Sequence, residues 1–80
     1  MSKDLALYYY DSCPFCQKVL RYMSAHDIEI PLRNTLASPQ FREDLRAVGG
    51  KTQVPCLVID GKALYESDDI ISWLGNHYGH

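Results

Sequence analysis

The chain alternates short apolar runs with segments in which apolar residues recur every three or four positions. Residues 5–10 form an apolar and aromatic run, which is typical of a buried strand. The spacing in the next segment predicts an amphipathic helix that is capped by Ser12 or Cys13 and ends near His26. The apolar stripe of this helix contains Cys16, Val19, Leu20 and Met23.

The next two elements follow from an alternating segment and a proline. Apolar and polar residues alternate over positions 28–33, which predicts a short half-buried strand with Ile28, Ile30 and Leu32 on its inner face. Pro31 places that strand at an edge of the sheet, because proline donates no hydrogen bond. Ser38-Pro39 predicts the start of a second helix, which Gly49-Gly50 ends. Its stripe contains Phe41, Leu45 and Val48.

The remaining segment predicts a hairpin and a third helix. The apolar run 54–59 is typical of a buried strand, and Asp60-Gly61 predicts a tight turn into a returning strand over residues 62–65. Ser67 is predicted to cap the last helix. The inner face of that helix is expected to contain Ile70, Ile71, Leu74 and Tyr78.

The resulting order is β-α-β-α-β-β-α, which predicts an α/β fold in a single domain over residues 1–80. A strand–helix–strand start implies a parallel pair, and the later hairpin implies an antiparallel pair. The prediction is therefore a four-stranded mixed sheet with helices on both faces.

Composition and charge exclude several classes of protein. The hydrophobic fraction of 46%, the charged fraction of 22% and the net charge of −2 are ordinary for a globular chain and give no basic patch for nucleic acid. The longest apolar runs are six residues, too short for a membrane span or a signal peptide. We therefore expect a cytoplasmic protein.

The main chemical feature is the Cys13-Pro-Phe-Cys16 motif, which follows the first strand. Cys13 falls at the start of a helix, where unpaired N–H groups favour a thiolate, the nucleophilic form of a thiol. Cys16 lies about one turn further on, within reach of a disulfide with Cys13. A redox pair, half of a zinc site and a structural pair all remain possible, but three cysteines and no second close-spaced Cys pair favour the redox pair.

Three segments together resemble a known family. These are "YDSCPFC" at a strand-to-helix turn, "TQVPCLVI" in a later strand and "LYESDDI" at the start of the last helix. In this order and spacing they resemble glutaredoxins, and most closely the glutathione-transferase-like glutaredoxins and the N-terminal domain of glutathione transferases. The resemblance implies a thioredoxin fold.

The resemblance also implies a glutathione site around the cysteine pair. Pro55 matches a cis-proline, and the backbone of Val54 matches the position that pairs with the cysteinyl part of glutathione. Phe15 and Gln53 match residues at the border of the site. Lys51 is the candidate for the glycyl carboxylate.

The other end of the tripeptide is assigned to the start of the last helix. Ser67, Asp68 and Glu66 match the residues that hold the γ-glutamyl end. A helix N-terminus suits the carboxylate of this end, and an acidic side chain suits its ammonium group.

Two positions depart from the common family pattern. Asp11 stands where many glutaredoxins carry a lysine, and its negative charge opposes the formation of a thiolate nearby. Cys56 follows the proline where an aliphatic residue is common, and it is either a small core residue or a third redox-active thiol.

The function that the resemblance implies is glutathione-dependent reduction of protein disulfides or protein–glutathione mixed disulfides. Cys13 would attack and Cys16 or a second glutathione would resolve, with glutathione as co-substrate, no metal, and a monomeric protein. The alternatives are the glutathione-binding domain of a transferase-like protein and an iron–sulfur module, which Pro14 disfavours.

Overall fold

The computed structural model describes residues 5–77 and confirms the predicted order of elements. The strands are β1 (Leu5–Tyr9), β2 (Leu32–Asn34), β3 (Cys56–Ile59) and β4 (Lys62–Leu64). The helices are α1 (Pro14–Ala25), α2 (Pro39–Gly49) and α3 (Ser67–His77). Tyr78, predicted for the inner face of the last helix, lies outside the described residues.

The strands form one mixed sheet in the order β2-β1-β3-β4. β1 is parallel to β2, whereas β3 is antiparallel to both β1 and β4. The predicted parallel pair and hairpin are therefore both present. None of the helices within residues 5–77 is long and apolar enough to cross a bilayer.

The two central strands divide the core between the faces of the sheet. Leu7 and Leu57 are fully buried on the face that packs against α1 and α3. Tyr8 and Cys56, one residue along each strand, are buried on the other face with Leu45 of α2. This alternation follows from the two-residue period of a strand, and it accounts for helices on both faces.

The predicted strand over residues 28–33 is wrong in its position. Ile28 and Ile30 are buried, as expected, but they precede the strand, and Leu32 is 48% exposed. The cause is Pro31, which cannot donate to the ladder, although its carbonyl accepts a hydrogen bond from the Leu7 amide at 2.9 Å. Regular pairing therefore begins only after the proline.

The ends of two helices also refine the predictions. Gly50 is the C-cap of α2, and its positive φ of 78° is readily adopted by glycine. Val48, predicted for the apolar stripe of α2, is 37% exposed. α3 begins at Ser67 itself, and the Ile70 amide donates to the Glu66 carbonyl at 2.8 Å. Glu66 therefore occupies the capping place that was predicted for Ser67.

Candidate active site

Cys13 lies in the connection between β1 and α1 and caps that helix. Its backbone is extended, Pro14 is the first helical residue, and the Cys16 amide donates to Cys13 Sγ across 3.4 Å. A helix N-terminus carries a partial positive charge and unpaired N–H groups. The fold therefore aims the positive end of α1 at the sulfur that was predicted to attack.

A loop from the distant part of the chain lies against this thiol. Cys13 Sγ is 4.0 Å from the Val54 carbonyl oxygen, and the Val54–Pro55 peptide bond is cis, as the resemblance implied. The contact arises because β1 and β3 are antiparallel and Tyr8 pairs with Cys56. The end of β1 consequently meets the start of β3.

An open cavity of about 230 Å³ extends from this contact to the start of α3. Seven of the eight residues predicted for glutathione line it, from the first turn of α1, the cis-proline loop and the N-terminus of α3. They are Phe15, Gln53, Val54, Pro55, Glu66, Ser67 and Asp68. Their role in binding remains a prediction, but the fold brings them to one place.

Three side chains differ from the predicted set. Lys51 is absent from the cavity lining, and its Nζ lies 5.1 Å from the centre of the Tyr65 ring. Lys18 and Tyr65 line the cavity although neither was predicted. Lys18 follows Phe15 by three residues, a spacing that places two helical side chains on one face. That spacing could have identified it.

The position of Tyr65 depends on a glycine. Its hydroxyl is buried against Gly49, the last residue of α2, and a Cβ built there would lie 1.8 Å from the hydroxyl oxygen. Burial raises the pKa of the Tyr65 phenol above its usual value. Gly49 therefore allows Tyr65 to reach the cavity wall.

A second cavity of about 400 Å³ lies on the side of Ser12 and Thr52. These two residues are the chain neighbours of Cys13 and Gln53. Arg42 supplies the positive charge of the lining, which also includes Tyr10, Thr35 and Leu36. None of these residues was predicted to line a cavity, although Tyr10, Ser12 and Thr52 lie within two of the segments that carry the family resemblance.

The other two cysteines are fully buried, and burial changes their chemistry. The pKa of Cys16 is raised from 9.0 to about 12, mainly by burial and also by contact with Cys13, and a hydrogen bond with the Tyr10 backbone opposes part of the rise. Burial also raises the pKa of Cys56 from 9.0 to about 11. Cys56 packs in the core with Tyr8 and Leu45. Both groups are therefore protonated thiols at neutral pH.

No potential metal site was found among the described residues. Within residues 5–77, no group of three or more His, Cys, Asp or Glu side chains is arranged to hold a metal ion.

The raised thiol pKa values predict that the reduced protein becomes less stable in alkali. Above pH 9.0 the two thiols ionise in the unfolded chain and stay protonated in the folded one, so rising pH favours unfolding. Each thiol lowers the free energy of unfolding by about 1.4 kcal/mol per pH unit in this range. Urea unfolding of the reduced protein at pH 8 and pH 10 measures the difference.

A Cys56→Ala variant provides the control for this pH dependence. It should lose one of the two contributions and show a shallower fall between the two pH values. A wild-type stability that does not fall between pH 8 and pH 10 would contradict the assignment of both thiols as protonated groups in the native state.

Together, a cysteine at a helix start, a neighbouring cis-proline loop and a four-stranded mixed sheet define a protein with a thioredoxin-like fold. The match to a family model is more specific. The chain belongs to the family described as glutathione S-transferase, N-terminal domain, whose model matches residues 7–80. The predicted relationship is thereby confirmed.

The chain is similar to proteins of two kinds. It is 27% identical over 60 residues to an uncharacterized glutaredoxin-like 8.6 kDa protein in the rubredoxin operon of Clostridium pasteurianum. This alignment covers 75% of the chain and 80% of that protein. Its fold is similar to a glutathione transferase homologue from Drosophila mojavensis with bound glutathione, at a TM-score of 0.80 and 19% identity. It is also similar to oxidized glutaredoxin 2 from Chlamydomonas reinhardtii, at a TM-score of 0.68 and 20% identity.

The chain covers very different shares of the two solved structures. The alignment with the Drosophila mojavensis protein covers 98% of this chain and 36% of that one, so the chain spans about a third of the transferase homologue. The alignment with the Chlamydomonas glutaredoxin covers 96% of this chain and 76% of that one.

Proposed function

We propose that this chain is a glutathione-dependent thiol–disulfide oxidoreductase that reduces protein–glutathione mixed disulfides or protein disulfides in the cytoplasm. The observation that carries the proposal is the position of Cys13, whose thiol caps α1 and contacts Val54 at the edge of the cavity. The glutaredoxin-like relative and the glutathione-bound transferase homologue support it.

The proposed reaction begins at the Cys13 sulfur. Its thiolate attacks the glutathionyl sulfur of a mixed disulfide, a Cys13–glutathione disulfide forms, and the target leaves as a thiolate that takes up a proton. A second glutathione thiolate then attacks the bound glutathionyl sulfur. This step releases glutathione disulfide and returns Cys13 to its reduced form.

Cys16 offers an alternative to the second glutathione. Its thiolate would attack Cys13 Sγ and release glutathione, which leaves a Cys13–Cys16 disulfide. Because burial holds Cys16 as a thiol, this route requires removal of its proton when the bond forms. We therefore expect the route through a second glutathione to carry most of the turnover of small glutathionylated substrates.

The cavity supplies groups for the rest of the tripeptide. Val54 has a backbone suited to pairing with the cysteinyl residue, and Ser67 and Asp68 lie at the N-terminus of α3, where the γ-glutamyl end is assigned. Lys51 was the candidate for the glycyl carboxylate, but its ammonium group lies over the Tyr65 ring and outside the cavity lining. Lys51 is therefore not part of the proposed site.

The choice of reductant tests the proposal. The full chain is assayed on a glutathionylated peptide with NADPH and either glutathione plus glutathione reductase or thioredoxin reductase. Turnover with the glutathione system is expected. Turnover with thioredoxin reductase alone, or with neither system, would contradict the proposal.

A second candidate function is that of a glutathione-binding domain in a larger transferase. The family match and the third of the transferase homologue's length that the chain covers favour it. It predicts that the chain binds glutathione without reducing disulfides, so a glutathione-binding titration together with the reductase-coupled assay separates the two functions.

A further inference from the structure

Lys18 is a side chain of the cavity to which neither the sequence nor the proposed reaction gives a role. It lies on α1, three residues after Phe15, and both side chains line the cavity. Its Nζ forms an ion pair with Asp68 Oδ1 on α3, 50 residues away in sequence. We take Asp68 to be the acidic side chain that holds the ammonium group of the γ-glutamyl end, so the Lys18 ammonium occupies the position proposed for the ligand's cation.

The ion pair contributes little to the stability of the fold. The side chain of Lys18 is 52% exposed and that of Asp68 is 82% exposed, and exposed pairs of this kind are weak and are screened by salt. A lysine side chain on a flexible stem can therefore leave Asp68 at small cost.

The charges of the cavity explain why a cation is needed there. Glu66 and Asp68 bring two negative side chains to the lining, and Lys18 is the one positive side chain among the residues that line it. The γ-glutamyl end of glutathione carries an ammonium group and a carboxylate. Beside two acidic side chains, the carboxylate needs more than a helix N-terminus to offset the repulsion.

We propose that Lys18 is a specificity-determining residue that binds the α-carboxylate of the γ-glutamyl group after the ligand's ammonium has taken its place on Asp68. This assignment rests on the proposed binding of glutathione. Lys18 exchanges one carboxylate partner for another, so both charges of the ligand are paired and no cation is left alone. The site thereby selects an intact α-amino acid end over a tripeptide whose α-carboxylate is neutralised.

Calorimetric titration with two ligands tests the role of Lys18. The first is S-methylglutathione, which cannot exchange thiols, and the second is its analogue with the γ-glutamyl α-carboxylate converted to a carboxamide. The wild type is expected to prefer the carboxylate ligand by about tenfold, the size of one charge-assisted hydrogen bond. Lys18→Met should remove this preference by weakening the carboxylate ligand about tenfold and changing the carboxamide less than twofold.

Two further variants control for charge and for structure. Lys18→Arg should retain most of the preference, since it keeps the cation, and Lys62→Met should behave as the wild type, because Lys62 is an exposed residue of β4. Equal weakening of both ligands by Lys18→Met would mean that Lys18 only positions Asp68, and an unchanged preference would mean that it does not touch the carboxylate. Either result overturns the inference.

The same titrations separate this inference from the proposed function. Absence of S-methylglutathione binding by the wild type would contradict glutathione binding itself, and the role of Lys18 would fall with it. Wild-type binding with an unaltered ligand preference in Lys18→Met would overturn the role of Lys18 alone.

Discussion

A Cys13→Ser variant is expected to lose glutathione-dependent reduction of a glutathionylated peptide by about 10³-fold or more. A serine hydroxyl is not ionised near neutral pH and forms no disulfide, so the first covalent step is lost. The fold should be retained, because serine is close to cysteine in size and can accept the hydrogen bond that the Cys16 amide now donates to Cys13 Sγ. NADPH oxidation coupled to glutathione reductase measures the rate.

The other two cysteines serve as matched controls for Cys13. Cys16→Ser should keep most of the activity on the glutathionylated peptide while preventing an intramolecular disulfide, which mass spectrometry detects. Cys56→Ala should keep the activity, because Cys56 packs in the core on the far side of the sheet from α1 and α3. Activity that survives in Cys13→Ser and is lost in Cys16→Ser would assign the attack to Cys16 and contradict the proposed mechanism.

The second large effect is expected for Gly49→Ala. The new Cβ would lie 1.8 Å from the Tyr65 hydroxyl oxygen, 2.7 Å from its Cζ and 2.9 Å from Ala63 Cβ, so the ring must move. We expect a loss of about 1–3 kcal/mol in the free energy of unfolding, as for other overpacked sites. Urea unfolding measures this loss, and a raised KM for glutathione should accompany it because Tyr65 lines the cavity.

Gly75→Ala provides the comparison for this effect. Gly75 also belongs to a helix, α3, but a Cβ there would closely approach only the hydroxyl tip of Tyr22, at 2.9 Å. The gain in helix propensity of about 1 kcal/mol should offset the smaller shift and leave stability nearly unchanged. Tyr65→Phe combined with Gly49→Ala should recover part of the lost stability, since it removes the nearest atom. Equal stabilities of Gly49→Ala and Gly75→Ala would contradict the steric explanation.

The sequence correctly predicted those features of the fold that depend on recognisable local patterns. The helix start at Cys13, the turn at Asp60-Gly61 and the glycine end of α2 all follow from the conformations that these residue types allow. The cis bond before Pro55 was implied by the family resemblance and is present in the structure. Local preference and family resemblance together therefore indicated which segments meet at the site.

The differences between sequence and structure include one local effect, at Pro31, and two contacts that depend on distant partners. The alternation at Ile28 and Ile30 predicts burial correctly, but one proline moved the start of the strand beyond them. Lys51 was a candidate for the glycyl carboxylate through the family resemblance, whereas its contact with Tyr65 joins two loops that only the folded chain brings together. The ion pair of Lys18 spans 50 residues, and no local pattern contains that information.

The antiparallel pairing of β1 and β3 also sets how the active thiol is assembled. A slip of two residues between these strands would keep the same apolar side chains on the same faces, but it would move Val54 about 7 Å along the sheet relative to Cys13. The thiol and carbonyl are 4.0 Å apart in the native pairing, so the slipped form would lose this contact. Catalytic competence, rather than compactness, would then distinguish the native chain from a misaligned kinetic trap.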